Sequence, residues 1–271
     1  MPDLWSDLVS CLDLDAVPAT DAADALFEGR NLNLAYHRVF GGQLLAQFAR
    51  AAAAAVPDKA IKSLHAIFVR EGNAGEPIRY RVHRHHAGRS FATVSVVAEQ
   101  SKGVVATASV SLHAEEPGPD RQTVAAVPAL LSAEHKAQWD LLPWETRTAV
   151  DLEDSGSAAP EFEFWMRTPA ADPALAPALA AYATDLTLIG TALLPQQGYT
   201  QSGNGTAFFS AVTTHTLWFH RAFRTDDWLL LRQHSPILAH ARAYGRGDIL
   251  TENGTLVASY AQEAMVRLPQ E

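Results

Sequence analysis

Two stretches of this chain follow one pattern, and self-similarity on that scale constrains architecture before any single motif does. The first opens with His65-Ala66-Ile67-Phe68-Val69-Arg70 and runs to Val104-Val105-Ala106-Thr107-Ala108-Ser109. The second opens with His215-Thr216-Leu217-Trp218-Phe219-His220-Arg221 and runs to Leu256-Val257-Ala258-Ser259-Tyr260-Ala261. The offset from His65 to His215 and that from Val105 to Val257 agree to within two residues. Each stretch also carries a hairpin signal, Lys102-Gly103 and Asn253-Gly254, between β-rich runs, and Asn-Gly supplies the positive φ that a tight turn needs. The repeat predicts antiparallel strands in two similar halves.

Upstream of each stretch lies an apolar helical segment. The first starts after Gly41-Gly42, passes through Leu44, Leu45, Phe48 and an alanine-rich tract, and must stop near Val56 because Pro57 follows. The second is expected over about 177–194, with Leu179, Tyr182, Leu186 and Ile189 spaced for one buried face. A helix apolar on nearly all sides needs a sheet that curves around it. The expected fold is therefore α+β, a double hotdog in which two antiparallel sheets are each wrapped around a long apolar helix. Residues 1–115 form the first half. Residues 116–160, which include Pro117, Gly118, Pro119, Asp151, Asp154 and Gly156, are predicted to be a surface linker. Residues 161–271 form the second half, opening on the alternating strand Glu161-Phe162-Glu163-Phe164-Trp165-Met166-Arg167.

Composition narrows the partners. With 271 residues and 48% hydrophobic content the chain can bury a large core, and 21 Lys+Arg against 30 Asp+Glu give a formal net charge of -9. Such a balance carries no footprint for nucleic acid, although a few local cations or helix N-terminal amides suffice for a small anion. Cys11 is the single cysteine, so no intramolecular disulfide forms and no Cys-x-x-Cys pair exists. Leu4, Trp5, Leu8, Val9 and Leu12 predict a short amphipathic N-terminal helix rather than a signal peptide. No run approaches the roughly 20 apolar residues of a membrane span, the last residues form no peroxisomal tripeptide, and a cytoplasmic location is expected. His83, His85 and His86 alternate along a strand without a carboxylate or cysteine to complete a metal set, so no metal or other cofactor is expected. Arg246-Gly247-Asp248 and Asn204-Gly205-Thr206 read as chance matches to adhesion and glycosylation motifs. No Gly-x-Ser-x-Gly elbow is present.

Six segments occur in a recognisable order: Arg38-Val39-Phe40-Gly41-Gly42-Gln43, Ser63-Leu64-His65-Ala66-Ile67-Phe68-Val69-Arg70, Tyr182-Ala183-Thr184-Asp185-Leu186, Leu217-Trp218-Phe219-His220-Arg221, Asp227-Trp228-Leu229-Leu230 and Leu256-Val257-Ala258-Ser259-Tyr260-Ala261-Gln262-Glu263. With them the chain resembles the acyl-CoA thioesterase II family over nearly its whole length. The resemblance implies an acyl-CoA substrate, hydrolysed to free fatty acid and CoA without a metal. It also implies a water held by an Asp, a Ser or Thr, and a Gln. By residue match Asp185 takes the carboxylate role and Gln262 the amide role. The family's hydroxyl position falls on Val212, and its frequent aspartate two residues later falls on Thr214.

The chemistry calls for those residue types. A carboxylate that accepts a proton from water gives general-base assistance, and a hydroxyl and an amide fix the water's remaining hydrogen bonds. Strand side chains alternate, so Val212 and Thr214 share a face, and Thr214 is preferred as the substitute hydroxyl; a bulge would favour Thr213 instead. Gly42 and Gln43, at the start of the first helix, are candidate substrate contacts, with the Gly42 amide a candidate oxyanion donor. Tyr182, Leu186 and Trp218 are candidates for shaping the acyl pocket. The bland readings are a surface aspartate, an outward-facing edge-strand glutamine and threonines chosen for β-propensity. His65 and His215 are expected to be scaffold, bonding across the half-sheets. Only the second half carries the Gln, so one site per chain is expected, in a homodimer or higher homo-oligomer because open sheets leave edges to cover. Two alternatives stay open: an acyl-CoA binding or sensing protein that lost the hydroxyl at Val212, and a hotdog hydratase.

Overall fold

The computed structural model describes residues 3–18, 23–34 and 38–269, which group into two compact units. The first takes in the described residues up to Arg121, together with Ala174–Ala183 and Thr216–Phe219. The second takes in Gln122–Pro173, Thr184–His215 and the described residues from His220 onward.

In the first unit, helix α1 (Leu4–Cys11) is capped by Asp3, whose side chain accepts the Ser6 amide at 3.0 Å. Strands β1 (Asp15–Val17), β2 (Ala25–Gly29), β3 (Ala60–Phe68), β4 (Ile78–Ala87), β5 (Phe91–Gln100) and β6 (Gly103–His113) form an antiparallel sheet in the order β1-β2-β4-β5-β6-β3. Helix α2 (Gly41–Ala55) packs across β2 to β6, and its residues from Gly42 to Ala49 are all buried. Alanines let the strands approach closely on several sides, which an amphipathic helix with long polar residues would prevent. The polar residues it does bury are paired. Gln47 Oε1 accepts from the Tyr80 hydroxyl at 2.5 Å, and its Nε2 donates to the carbonyls of Cys11 and Arg30, both at 2.9 Å. Gly103, at φ +105°, makes the turn into β6, as its sequence position predicts.

Helix α3 (Ala176–Thr184) contributes residues 176–183 to this unit. Gly42 permits the approach: a Cβ there would stand 2.5 Å from the Tyr182 carbonyl oxygen. The Phe40 ring meets the Tyr182 ring edge-on, with centroids 5.1 Å apart.

The second unit holds β7 (Lys136–Ala137), β8 (Glu145–Arg147), β9 (Glu161–Arg167), β10 (Phe209–Phe219, up to His215), β11 (Leu229–Ala239), β12 (Arg242–Thr251) and β13 (Leu256–Arg267). Their order is β10-β13-β12-β11-β9-β8-β7. Helix α4 (Leu188–Leu193) packs on β11, β12 and β13. The Asn253-Gly254 turn forms as expected, with Gly254 at φ +85° and the Thr251 amide donating to the Thr255 carbonyl.

Three expectations need correction. The single helix over 177–194 is two helices, α3 and α4, separated at residues 185–187. Thr184, Asp185 and Thr187 carry short polar side chains that compete for local hydrogen bonds and weaken helix there. Tertiary partners complete the break, as described below. The linker also has structure of its own. Strands β7 and β8 add to β9, and Val124, Val127, Leu130 and Leu131 pack against the Trp165, Trp228, Leu230 and Leu250 cluster. Finally, Pro173–Leu193 does have the length and apolar character of a membrane span, with 72% of its window buried inside the protein, the environment of a core helix.

Candidate active site

The α3–α4 break places a polar cluster inside the second unit. Thr184 is the last residue of α3 and Asp185 the first beyond it, and both are buried. Strand β10 supplies His215 and β13 supplies Gln262, which shares the buried, inward face of its strand with Tyr260 and Ala264. Glycines on the neighbouring strand make the space. Gly245 stands opposite Gln262 and Gly247 opposite Tyr260; a Cβ at Gly247 would meet the Tyr260 hydroxyl at 2.6 Å, and one at Gly245 the Leu188 Cδ2 at 2.7 Å.

His215 is the hub. Its Nδ1 lies 2.9 Å from Gln262 Oε1 and 4.0 Å from Asp185 Oδ1, and its Nε2 lies 3.0 Å from Thr184 Oγ1. Burial pushes the imidazole pKa down to about 4, against a smaller upward effect of the Gln262 hydrogen bond. At neutral pH the ring is uncharged, so its approach to Asp185 is a polar contact and not an ion pair. The ring stacks on Tyr260 with centroids 6.2 Å apart. Tyr260 in turn donates to Gln233 Oε1 at 2.9 Å, and Gln233 Nε2 donates to Thr187 Oγ1 at 2.7 Å and Thr191 Oγ1 at 2.8 Å. Thr187 thereby anchors the start of α4 and holds the break open. Gln262 Nε2 is buried and has no hydrogen-bond partner in the described protein, which leaves an amide donor available to a ligand.

Asp185 and Gln262, matched from sequence, thus converge on one imidazole. Thr213 does not join them: its hydroxyl donates to the Glu263 carbonyl at 3.0 Å. Thr214 is half-buried in β10 next to His215, and its side chain forms no hydrogen bond among the described residues. Gln43 is a correction. It is buried in the core of the first unit, where its oxygen accepts the Leu32 amide at 3.0 Å and its nitrogen donates to Asn31 and Gln47, so its donors are spent on scaffold. Tyr182 is fully buried, whereas Trp218 is 40% exposed and meets the His65 ring edge-on. His65 bonds Ser63 and, at 3.4 Å, Thr216.

His83 and His85 do share a face, with rings 5.1 Å apart, and Asp24 pairs with His83; among the described residues no group of three or more His, Cys, Asp and Glu is arranged to hold a metal ion. Leu186, next to Asp185, borders a cavity of about 590 Å³ shared with Trp139, Leu141, Val150 and Gln201. Its rim carries Glu134, Asp140, Asp151 and Glu153 against Lys136.

The residues missed from sequence are Thr184 and the Thr187–Gln233–Tyr260 set. Thr184 lay in view, adjacent to Asp185, but a threonine at the end of an apolar helix carries no signal of its partner thirty-one residues on.

Comparison with known proteins accounts for the repeat. Residues 32–113 match the profile of the acyl-CoA thioesterase N-terminal domain and residues 113–266 that of the C-terminal domain. Acyl-CoA thioesterase 2 of Haemophilus influenzae is 28% identical over the full length of both chains. Acyl-coenzyme A thioesterase 8 of Homo sapiens is 29% identical over 97% of this chain and 91% of its own. The crystal structure of acyl-CoA thioesterase II TesB2 from Mycobacterium marinum superposes with a TM-score of 0.79 at 30% identity, covering 97% of this chain and 99% of that one. A hot dog fold protein from Alicyclobacillus acidocaldarius, at 18% identity and a TM-score of 0.74 over 97% of this chain and 98% of its own, supports the fold alone. The fold is a double hotdog, and the chain belongs to the acyl-CoA thioesterase II family.

Proposed function

We propose that the protein hydrolyses acyl-CoA thioesters by a water that Asp185 deprotonates and Gln262 orients. The observation that carries this reading is the convergence of the buried carboxylate and the buried amide on His215 Nδ1, with the amide nitrogen left unpaired. Water attacks the thioester carbonyl as Asp185 takes its proton. The tetrahedral intermediate then collapses with cleavage of the C–S bond, and the proton passes to the departing CoA thiolate, so that acyl-CoA and water give the free acid and CoA. The cavity beside Leu186 does not suit the nucleotide, since the carboxylates of Glu134, Asp140, Asp151 and Glu153 in its lining repel phosphates. Release of thiol across a ladder of acyl-CoA chain lengths tests the reading. Saturable binding without turnover would indicate a sensor, and hydration of an enoyl-CoA a hydratase.

Gln262→Ala is expected to lower kcat by about 10- to 30-fold, less than loss of the base, because it loosens the water and leaves the proton acceptor in place. A loss exceeding that of Asp185→Asn, measured under the same conditions, would reverse the ranking.

The hydroxyl of the reading is Thr214, with Val212 at the family position; as the neighbour of inward-facing His215 it reaches the water only through a local irregularity of β10, such as the bulge considered from sequence. Thr214→Val is expected to lower kcat by roughly 3- to 10-fold, and Val212→Thr to raise it by a similar factor, since each changes one hydrogen bond to the water. Thr213→Val should act on stability instead, by about 1 kcal/mol, through the bond to Glu263. If Thr214→Val and Val212→Thr both leave turnover unchanged, this strand contributes no hydroxyl.

A further inference from the structure

We propose that Gln233 is a positioning residue that sets the separation of Asp185 and Gln262. The inference rests on the reading of those two residues as the proton acceptor and the water-orienting amide. Gln233 on β11, Gly247 on β12 and Tyr260 on β13 stand opposite one another in one row across three strands. A Cβ at Gly247 would lie 2.5 Å from Tyr260 Cζ and 2.6 Å from its hydroxyl oxygen, so the bare backbone there lets the phenol cross β12. The hydroxyl donates to Gln233 Oε1 at 2.9 Å, and the Gln233 amide nitrogen spends its two protons on Thr187 Oγ1 at 2.7 Å and Thr191 Oγ1 at 2.8 Å. Gln233, Tyr260, Thr187 and Thr191 are all buried. The row therefore forms a bar with a reacting group next to each end. Tyr260 lies two residues before Gln262 on the same face of β13, and Thr187 lies two residues beyond Asp185.

Thr187 shows that the tie is tertiary. It occupies the N-cap of α4, where a threonine hydroxyl ordinarily accepts an amide of the first turn, yet its side chain makes no capping bond. Gln233 engages that hydroxyl instead. Local sequence favours the opposite outcome, because apolar residues at helical spacing on both sides of Asp185 suit one continuous helix, in which each residue turns the chain by about 100°. Released from Gln233, residues 185–187 gain freedom to wind toward that helix and to carry the Asp185 carboxylate away from Gln262. Asp185 keeps contacts of its own, so the loss is smaller than removal of the base. The same row accounts for the glycine of Arg246-Gly247-Asp248, whose place in the fold is to make room for Tyr260.

The experiment pairs kinetics with amide hydrogen exchange. Thr187→Val, which keeps the shape and removes the hydroxyl, should lower kcat by about 10-fold with KM within about 2-fold, while Thr187→Ser should stay within about 2-fold of wild type. Gln233→Met should lose at least as much, and adding Thr187→Val to it should cost little more, since both cut one link. In an Asp185→Asn background Thr187→Val should lower the residual rate by less than about 2-fold, because the position of an absent base no longer matters. An unchanged kcat in Thr187→Val overturns the proposal, as does an equal loss in the two backgrounds, which is what a purely structural role gives. Should Gln233→Met fail to fold, the Thr187 variants decide. Exchange at the amides of 185–188 is expected to be faster in Thr187→Val than in wild type, and equal rates also overturn the proposal. If the wild-type protein hydrolyses no acyl-CoA, the functional reading fails, and the exchange rates still decide whether Gln233 holds the segment.

Discussion

Asp185→Asn is expected to yield a folded protein that releases thiol from acyl-CoA on the order of 10²- to 10⁴-fold more slowly than wild type. The amide keeps the size of the carboxylate and some of its hydrogen-bonding capacity, but it cannot accept the proton that the attacking water must lose. The substitution conserves the volume of a buried side chain, so the expected result is a folded protein together with a collapse of kcat. Because the loss falls on a step made only in the transition state, KM should change much less. Near-wild-type turnover in Asp185→Asn would remove the residue from the mechanism. A protein that fails to fold would show instead that the charge is structural, with a partner worth more than the burial it offsets.

What the sequence made legible followed from periodicity and punctuation. The two β-rich stretches, the buried alanine-rich helix and the stop before Pro57 all rest on local rules, and α2, β3 to β6 and β10 to β13 appear where those rules put them. The Asn253-Gly254 turn is of the same kind. The β11–β12 turn was not legible, because His240 and Ala241 both adopt positive φ, at 51° and 58°, with neither glycine nor asparagine to mark it. The register of two long strands holds that turn in a conformation its residues do not favour by themselves.

The helix break was hidden for a related reason. Residues 177–194 contain apolar positions at helical spacing on both sides of Asp185, so a one-dimensional reading joins them. What separates them is tertiary: Thr184 is tied to His215 on β10 and Thr187 to Gln233 on β11. Family resemblance pointed to Asp185 and Gln262 and to a vacant family position at Val212, yet it could not supply the histidine's role. His215 looked like scaffold because it repeats His65, but the two differ in surroundings. His65 is exposed and bonds Ser63 and Thr216, whereas its counterpart is sealed among Thr184, Asp185, Tyr260 and Gln262. Equal positions in a repeat share backbone geometry, and burial decides what each side chain does.

That burial leads to the second large effect, a loss of stability at acid pH centred on His215. In the unfolded chain the imidazole titrates near 6.5, and in the folded protein burial pushes it down to about 4. The unfolded state therefore binds a proton first as pH falls. Stability is complete above about pH 6.5, declines as the pH drops through the interval, and is lower by about 3 kcal/mol at pH 4, where the folded imidazole begins to protonate. Among the described residues, Tyr260 and Asp185 are the titratable groups that face the ring. Tyr260 stacks on it, and burial raises its phenol pKa, so it stays protonated throughout; the Asp185 carboxylate lies at 4.0 Å. Comparing wild type with His215→Gln isolates the histidine, since Asp185 and the surface carboxylates are present in both proteins. Urea unfolding at pH 7.5 and at pH 4.5 should show a larger drop for wild type than for the variant, with the gap opening below pH 6.5. If the His215 ring instead titrates near 6.5 in the folded protein, or if both proteins lose stability equally, the imidazole is not held neutral by burial and the acid sensitivity belongs to other groups.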